Sequence, residues 1–237
     1  MDNLQILMPA HNEEKSIEQQ ISKVHKILKK KIKFSFLICE DGSSDKTLEI
    51  LKILKKKYKI EIISKEIKQG YSKAVMSGMK KAKAKYLLIM DSDGQCDPRE
   101  ILKFWNRRNE SDIICGWRIM RKDFLYRKFF SDLARYVYMF FFKVRLKDPS
   151  FAFTLIKKKV YKNLSNFSPS MPDGFFWEFN ARAIYKGFKI KEVGIQHKKR
   201  KHGNTKIFHF YKLPSIALVN FIGLLKIRVN LFFKNGR

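Results

Sequence analysis

The stretch Tyr86-Leu87-Leu88-Ile89-Met90-Asp91-Ser92-Asp93-Gly94-Gln95 decides the fold. An unbroken apolar run of strand length passes directly into a turn carrying two carboxylates, the pattern of a buried strand ending at a polar site. Upstream, Ser72–Ala84 places apolar residues at helical spacing, and downstream Asp97-Pro98 opens another helix, since Pro suits the first turn. The same alternation runs back to the N-terminus. Leu4–Met8 reads as a strand, and Glu13–Lys30 as a helix with Ile17, Ile21, Val24, Ile27 and Leu28 on one face. Phe34–Cys39 is a second strand, Glu40–Asp45 a turn whose Asp45 caps a helix to about Lys57, and Ile60–Ser64 a third strand. Ile113–Cys115 continues the series. Short strands separated by helices predict an α/β fold, a mainly parallel sheet with helices on both faces.

In such sheets ligands sit at the carboxyl ends of the strands. That rule selects three loops: Pro9-Ala10-His11-Asn12-Glu13, Glu40-Asp41-Gly42-Ser43, and Asp91-Ser92-Asp93-Gly94-Gln95. All are polar and two are acidic. Carboxylates gathered at one edge require a compensating cation, and a hard divalent metal bridging to phosphate oxygens fits them. An EF-hand is excluded, because Gly94 is the fourth residue of its loop where that motif needs Gly sixth. No GxGxxG or GxxxxGK(S/T) string occurs, which removes the dinucleotide fingerprint and the P-loop.

The second half is less regular. Phe124–Val144 sets Phe129, Phe130, Leu133, Val137, Phe140, Phe141 and Val144 on one helical face, with Arg127, Lys128, Ser131 and Arg135 toward the other. Phe151–Ile156 reads as a strand, Gly174–Lys186 as a helix and Phe188–Val193 as a strand. Arg200–Lys206 is a basic loop, and Leu213–Phe233 an apolar stretch interrupted by Asn220, Lys226, Arg228 and Asn230. That stretch reads as helices lying in a membrane interface.

Composition sets the outer bounds. The chain has 237 residues, 45% of them hydrophobic and 21 of them Phe, which suits one domain with a real core and excludes global disorder. No window of about 18 uninterrupted apolar residues is present, so no ordinary membrane-spanning helix is expected. Met1–Met8 lacks the pattern of a secretory signal. Cys39, Cys96 and Cys115 form no CxxC pair and read as buried thiols of a reducing compartment. The net charge of +29 is uneven: residues 1–110 carry 24 basic and 15 acidic side chains, residues 111–237 carry 27 and 7. The second half therefore faces something anionic: nucleic acid, a membrane surface or a phosphorylated substrate.

Taken together, the three loops in this order resemble the family 2 inverting glycosyltransferases, whose nucleotide-sugar-binding fold, a Rossmann-like mixed sheet with helices on both faces, is called GT-A. Gly70-Tyr71-Ser72-Lys73-Ala74 and Gly78 match the family's glycine-and-alanine pattern before the fourth strand. The resemblance covers roughly residues 4–206. It implies that Pro9, His11, Glu13 and Asp41 hold the base and ribose of a nucleotide sugar. It implies that Asp91, Asp93 and Gln95 hold Mg²⁺ or Mn²⁺ against the diphosphate. His11 stands where the family often has Tyr. Gly116-Trp117-Arg118, Arg127–Ser131 and Arg200–Lys206 look like the corresponding stretches of dolichol-phosphate mannose synthases and bacterial polyprenyl-phosphate glycosyltransferases. By that likeness Arg118, Arg127, Ser131 and Arg200 surround the acceptor phosphate and the donor diphosphate, a role suited to the guanidinium's fork of donors.

Chemistry separates the acceptors. A sugar hydroxyl must lose a proton as it attacks and normally needs a carboxylate base, for which Glu178 is the candidate, although it could equally pair with a basic neighbour. A phosphate monoester, with a second pKa of about 6, is already anionic and needs orientation and charge compensation instead. The expectation is a metal-dependent enzyme moving a hexose from a UDP- or GDP-linked donor to a polyprenyl phosphate at the cytoplasmic membrane face. Residues 1–206 would form the GT-A domain, with a nucleotide-sugar half (1–115) and an acceptor half (116–206) that includes an amphipathic helix at about 124–146. Residues 207–237 would form an interfacial tail on an anionic leaflet. Relatives that carry two spanning helices after this domain leave the mode of attachment open, an integral membrane partner being one option. The competitors are a family 2 enzyme acting on a glycan hydroxyl, a basic nucleic-acid-binding protein and a non-catalytic membrane scaffold. The DNA-reading motifs are lacking, so nucleic acid is not expected as a partner.

Overall fold

A computed structural model describes residues 3–119, 125–171, 174–197 and 213–233. Its strands are β1 (Leu4–Ala10), β2 (Phe34–Asp41), β3 (Ile60–Lys65), β4 (Tyr86–Met90), β5 (Ile113–Arg118), β6 (Phe153–Lys157) and β7 (Ile190–Ile195). Its helices are α1 (Ile17–Leu28), α2 (Thr47–Lys55), α3 (Tyr71–Lys81), α4 (Glu100–Asn106), α5 (Leu125–Phe142), α6 (Lys158–Asn163), α7 (Phe175–Tyr185) and α8 (Leu213–Phe233). The strands form one sheet in the order β3-β2-β1-β4-β6-β5-β7. All neighbours are parallel except β6, which runs antiparallel to both β4 and β5.

Every residue of β4 is buried, because the sheet is covered on both faces. Leu88 and Met90 join a core with α1, α2 and α4, whereas Leu87 and Ile89 join the opposite core with α3, α6 and α7. A strand buried on both faces is apolar throughout, which is why its sequence shows no alternation. A third cluster lies outside the sheet: Tyr138 of α5, Ala181 of α7, and Leu224, Ile227 and Leu231 of α8.

Local details refine the expected boundaries. β1 runs two residues beyond Met8 and therefore contains a proline. Its pairing with β4 stops at Leu7, while its pairing with β2 continues through Ala10. The Pro9 carbonyl faces the β4 side, where the Ser92 hydroxyl donates to it at 2.9 Å. The missing N–H thus falls where no ladder bond is due. The N-cap of α2 is Lys46 rather than the expected Asp45, which stands one residue earlier and accepts the Thr47 N–H at 2.9 Å. The sheet is mixed, as the family resemblance implies, but that β6 is the reversed strand and that a six-residue α6 follows it were not foreseen: strand direction depends on the route of the connection, and so short a helix shows no period.

The apolar stripe of α5 divides. Tyr138 is buried and Val137 and Phe141 pack against the third cluster, whereas Leu133, Tyr136 and Phe140 are exposed. The C-terminal apolar stretch is one continuous helix rather than several. It buries Leu224, Ile227 and Leu231 and exposes Val219, Phe221, Ile222, Leu225 and Val229. Among the described residues no helix is long and apolar enough to cross a membrane.

Candidate active site

The three selected loops meet at one sheet edge and are joined by hydrogen bonds. Between the first and second loops, His11 Nδ1 donates to the Asp41 carbonyl at 2.9 Å. The Asn12 N–H donates to Ser43 Oγ at 3.0 Å, the Ser44 N–H to Asn12 Oδ1 at 2.8 Å, and the Glu13 N–H to Thr47 Oγ1 at 2.8 Å. Asn12 adopts φ 55°, a conformation that Asn tolerates better than most residues. Ser92 ties the third loop to Pro9 of the first.

Asp41 is buried, and its two oxygens accept the N–H groups of Gln69 and Gly70, each at 2.8 Å. This draws the segment before α3 over the second loop. Gly42 makes room for it. At φ 64°, a Cβ there would stand 2.6 Å from the Lys68 nitrogen and 2.7 Å from the Ile67 carbonyl carbon. Both neighbours are backbone, so Gly42→Ala is expected to cost about 3 kcal/mol, from left-handed strain plus overpacking. Chemical denaturation of the variant measures it, and an unchanged midpoint would contradict this packing.

The third loop is reached from α3. The Tyr71 hydroxyl donates to Asp91 Oδ1 at 3.0 Å. Burial, then the Asp91 charge and hydrogen bond, hold the Tyr71 phenol well above its ordinary range, so it stays a donor. In the same turn the Gln95 N–H donates to Asp93 Oδ1 at 2.9 Å, and Gly94 takes φ 76°. Asp93 also lines a cavity of about 310 Å³ against Ser16, Gln20 and Lys23 of the first helical segment. The neighbouring Cys96 thiol is raised by burial and by Asp91 and Asp93, against an opposing pull from Arg118. One buried group thus feels both carboxylates and the arginine. Cys39 and Cys115 are buried too, their thiols pushed up to about 12 mainly by desolvation.

Arg118 does not stand alone. Its Nε and Nη2 donate to the two oxygens of the buried Asp148 at 2.7 and 3.0 Å, and its guanidinium lies over the Phe151 ring. Asp148 thereby pre-orients the arginine and offsets its charge. Glu178 is wholly buried. It accepts from Arg182 Nε and Nη2 at 2.8 and 2.6 Å, and from the Ser170 N–H at 2.6 Å. A base must reach the substrate's proton, and this carboxylate is enclosed beneath its own helix. Arg127 and Ser131 fall on α5, but their side chains lie outside the described residues, as does Arg200 entirely. Tyr71 and Asp148 were missed by sequence reasoning. Tyr71 sits within the quoted glycine-and-alanine stretch, whereas Asp148 carried no signal, being 30 residues from its partner.

As for a metal, Asp91, Asp93 and Gln95 supply an all-oxygen donor set suited to Mg²⁺ or Mn²⁺. Among the described residues no cluster of three His, Cys, Asp or Glu forms a complete protein cage. A site short of ligands fits an ion that completes its shell with phosphate and water.

Comparison with known proteins agrees with this geometry. Residues 5–165 match the family described as "Glycosyl transferase family 2". The chain is 28% identical over 210 residues to a dolichol-phosphate mannosyltransferase of Pyrococcus furiosus, covering 85% of this chain and 58% of that protein. It is 26% identical over 219 residues to a dodecaprenyl-phosphate galacturonate synthase of Rhizobium johnstonii, covering 86% of this chain and 61% of that one. The chain thus spans about three-fifths of the length of these relatives. Among solved structures, glucosyl-3-phosphoglycerate synthase of Mycobacterium tuberculosis, in complex with Mn²⁺, UDP and phosphoglyceric acid, superposes with a TM-score of 0.74 at 15% identity. That match covers 96% of this chain and 78% of the other, and establishes a shared fold, the GT-A fold.

Proposed function

The chain belongs to glycosyl transferase family 2, and on that premise we propose that it transfers a hexose from a nucleotide diphosphate sugar to a polyprenyl phosphate at a membrane surface. The observation that carries this reading is the joining of three strand-end loops into one edge around Asp91 and Asp93. Pro9, His11, Glu13 and Asp41 would cradle base and ribose, and Asp91, Asp93 and Gln95 would hold Mg²⁺ or Mn²⁺. The bound cation would neutralise the diphosphate as it leaves. In the reaction an acceptor phosphate oxygen forms a bond to the anomeric carbon as the bond to the donor diphosphate breaks. The nucleoside diphosphate departs with the electron pair, and the configuration inverts.

Two features favour an anionic acceptor over a hydroxyl. Arg118 is held in one orientation by Asp148, and a guanidinium fixed in this way is suited to positioning a phosphate. Glu178 is engaged with Arg182 and Ser170, so the candidate base is occupied structurally. Arg127, Ser131 and Arg200 would complete the phosphate site. The two matched relatives are named for dolichol and dodecaprenyl phosphates. Exposed apolar side chains on the adjoining α5 and α8 give a lipid-linked acceptor a surface to meet, and the basic second half suits an anionic leaflet. The cytoplasmic face and any integral membrane partner belong to the same reading.

The test supplies radiolabelled UDP- and GDP-sugars with Mn²⁺ and polyprenyl phosphate in vesicles. The expected product partitions into organic solvent and is released by mild acid. Label confined to a water-soluble or polymeric glycan would favour a hydroxyl acceptor and overturn the phosphate assignment.

A further inference from the structure

α3 begins under unusual constraint. The Gly70 N–H is held by Asp41 Oδ2 at 2.8 Å, with Gly70 at φ 100°. Two residues on, the Ser72 hydroxyl donates to the Met171 carbonyl at 2.8 Å in a buried contact. Tyr71 stands between these anchors with its ring against the core formed by α3, α6 and α7. Its backbone is therefore fixed, and its hydroxyl reaches Asp91 Oδ1 at 3.0 Å from a defined direction.

We propose that Tyr71 is a positioning residue for Asp91, setting the orientation in which that carboxylate holds the divalent cation. The proposal rests on the metal reading given above. The terminal torsion of an Asp side chain is broad and roughly two-fold, so an unrestrained carboxylate presents its oxygens over a range of directions. A donor fixed at Oδ1 selects one of them. Mg²⁺ demands near-ideal octahedral geometry, so this selection bears directly on affinity. Hydrogen-bonding partners behind metal ligands are typically worth 10–100-fold in binding. Tyr71 also links two parts of the site: the segment that covers Asp41 ends where the group that orients Asp91 begins. The donor and metal regions thereby share one rigid helix start.

Tyr71→Phe removes the hydroxyl and preserves the ring, so the core contact persists. Mn²⁺ is titrated into the full chain with saturating UDP and, separately, GDP, following the free-ion signal by electron paramagnetic resonance. The variant is expected to bind Mn²⁺ about tenfold more weakly. The bound ion's line shape should change, the melting temperature should stay within a few degrees of wild type, and excess Mn²⁺ should restore most of the transfer rate. In the wild type, Mn²⁺ addition should also perturb the tyrosine ultraviolet absorption, and this perturbation should shrink in the variant. Equal Mn²⁺ affinity and line shape in the two proteins overturn the assignment of Tyr71. A wild-type protein that takes up no Mn²⁺ with either nucleotide overturns the metal reading beneath it, so the two failures are distinguishable.

Discussion

Asp93→Asn is expected to lower the rate of sugar transfer about a thousandfold while the protein still folds. Asp93 Oδ1 accepts the Gln95 N–H, and an asparagine carbonyl accepts the same bond, so the turn around Gly94 persists. What would disappear is one negative charge from the proposed cation site. The expected factor corresponds to about 4 kcal/mol of transition-state stabilisation, in line with the several kcal/mol that a Lewis-acidic metal contributes. Initial rates with labelled donor at saturating Mn²⁺, alongside melting curves, test the expectation. Unimpaired transfer in a folded variant would defeat the metal assignment.

Glu178→Ala is expected to destabilise the protein by about 3–5 kcal/mol, whatever the acceptor. The variant leaves the Arg182 guanidinium buried without its carboxylate and deprives the Ser170 N–H of its acceptor. The damage should spread, because Ser170 precedes Met171, whose carbonyl anchors the first turn of α3. Glu178→Gln keeps an acceptor oxygen and should lose less stability, with transfer to a phosphate acceptor falling no more than severalfold. Urea unfolding and steady-state rates separate the two effects. A well-folded Glu178→Gln protein that transfers no sugar would restore Glu178 as a base and favour the hydroxyl acceptor.

Much of the fold was legible because burial imposes local patterns. β4 matches the expected Tyr86–Met90 residue for residue, since a strand covered on both faces must be apolar along its length. α1 and α3 follow from spacing in the same way. The reversal of β6 was not legible: Phe153–Lys157 reads identically in either direction, and only the route of the chain past β5 decides which way it runs. The carboxylates of the site were visible as acidic turns after apolar strands. Their partners were not. Asp41 meets Gln69 and Gly70, and Arg118 meets Asp148, across about thirty residues of chain. Glu178 could be read either as a free base or as the partner of a basic neighbour, and the structure pairs it with Arg182 one helical turn away.

The α/β alternation, the strand ends that carry polar loops and the kinship with family 2 glycosyltransferases are all written into short windows of residues, because they depend on neighbours along the chain. The grip of Asp148 on Arg118, the docking of Glu178 against Arg182 and the contact of Tyr71 with Asp91 emerge from the folded chain alone. Those facts depend on which strands become neighbours and how helices dock on them, and nothing within a short window specifies the group that will face it across the sheet.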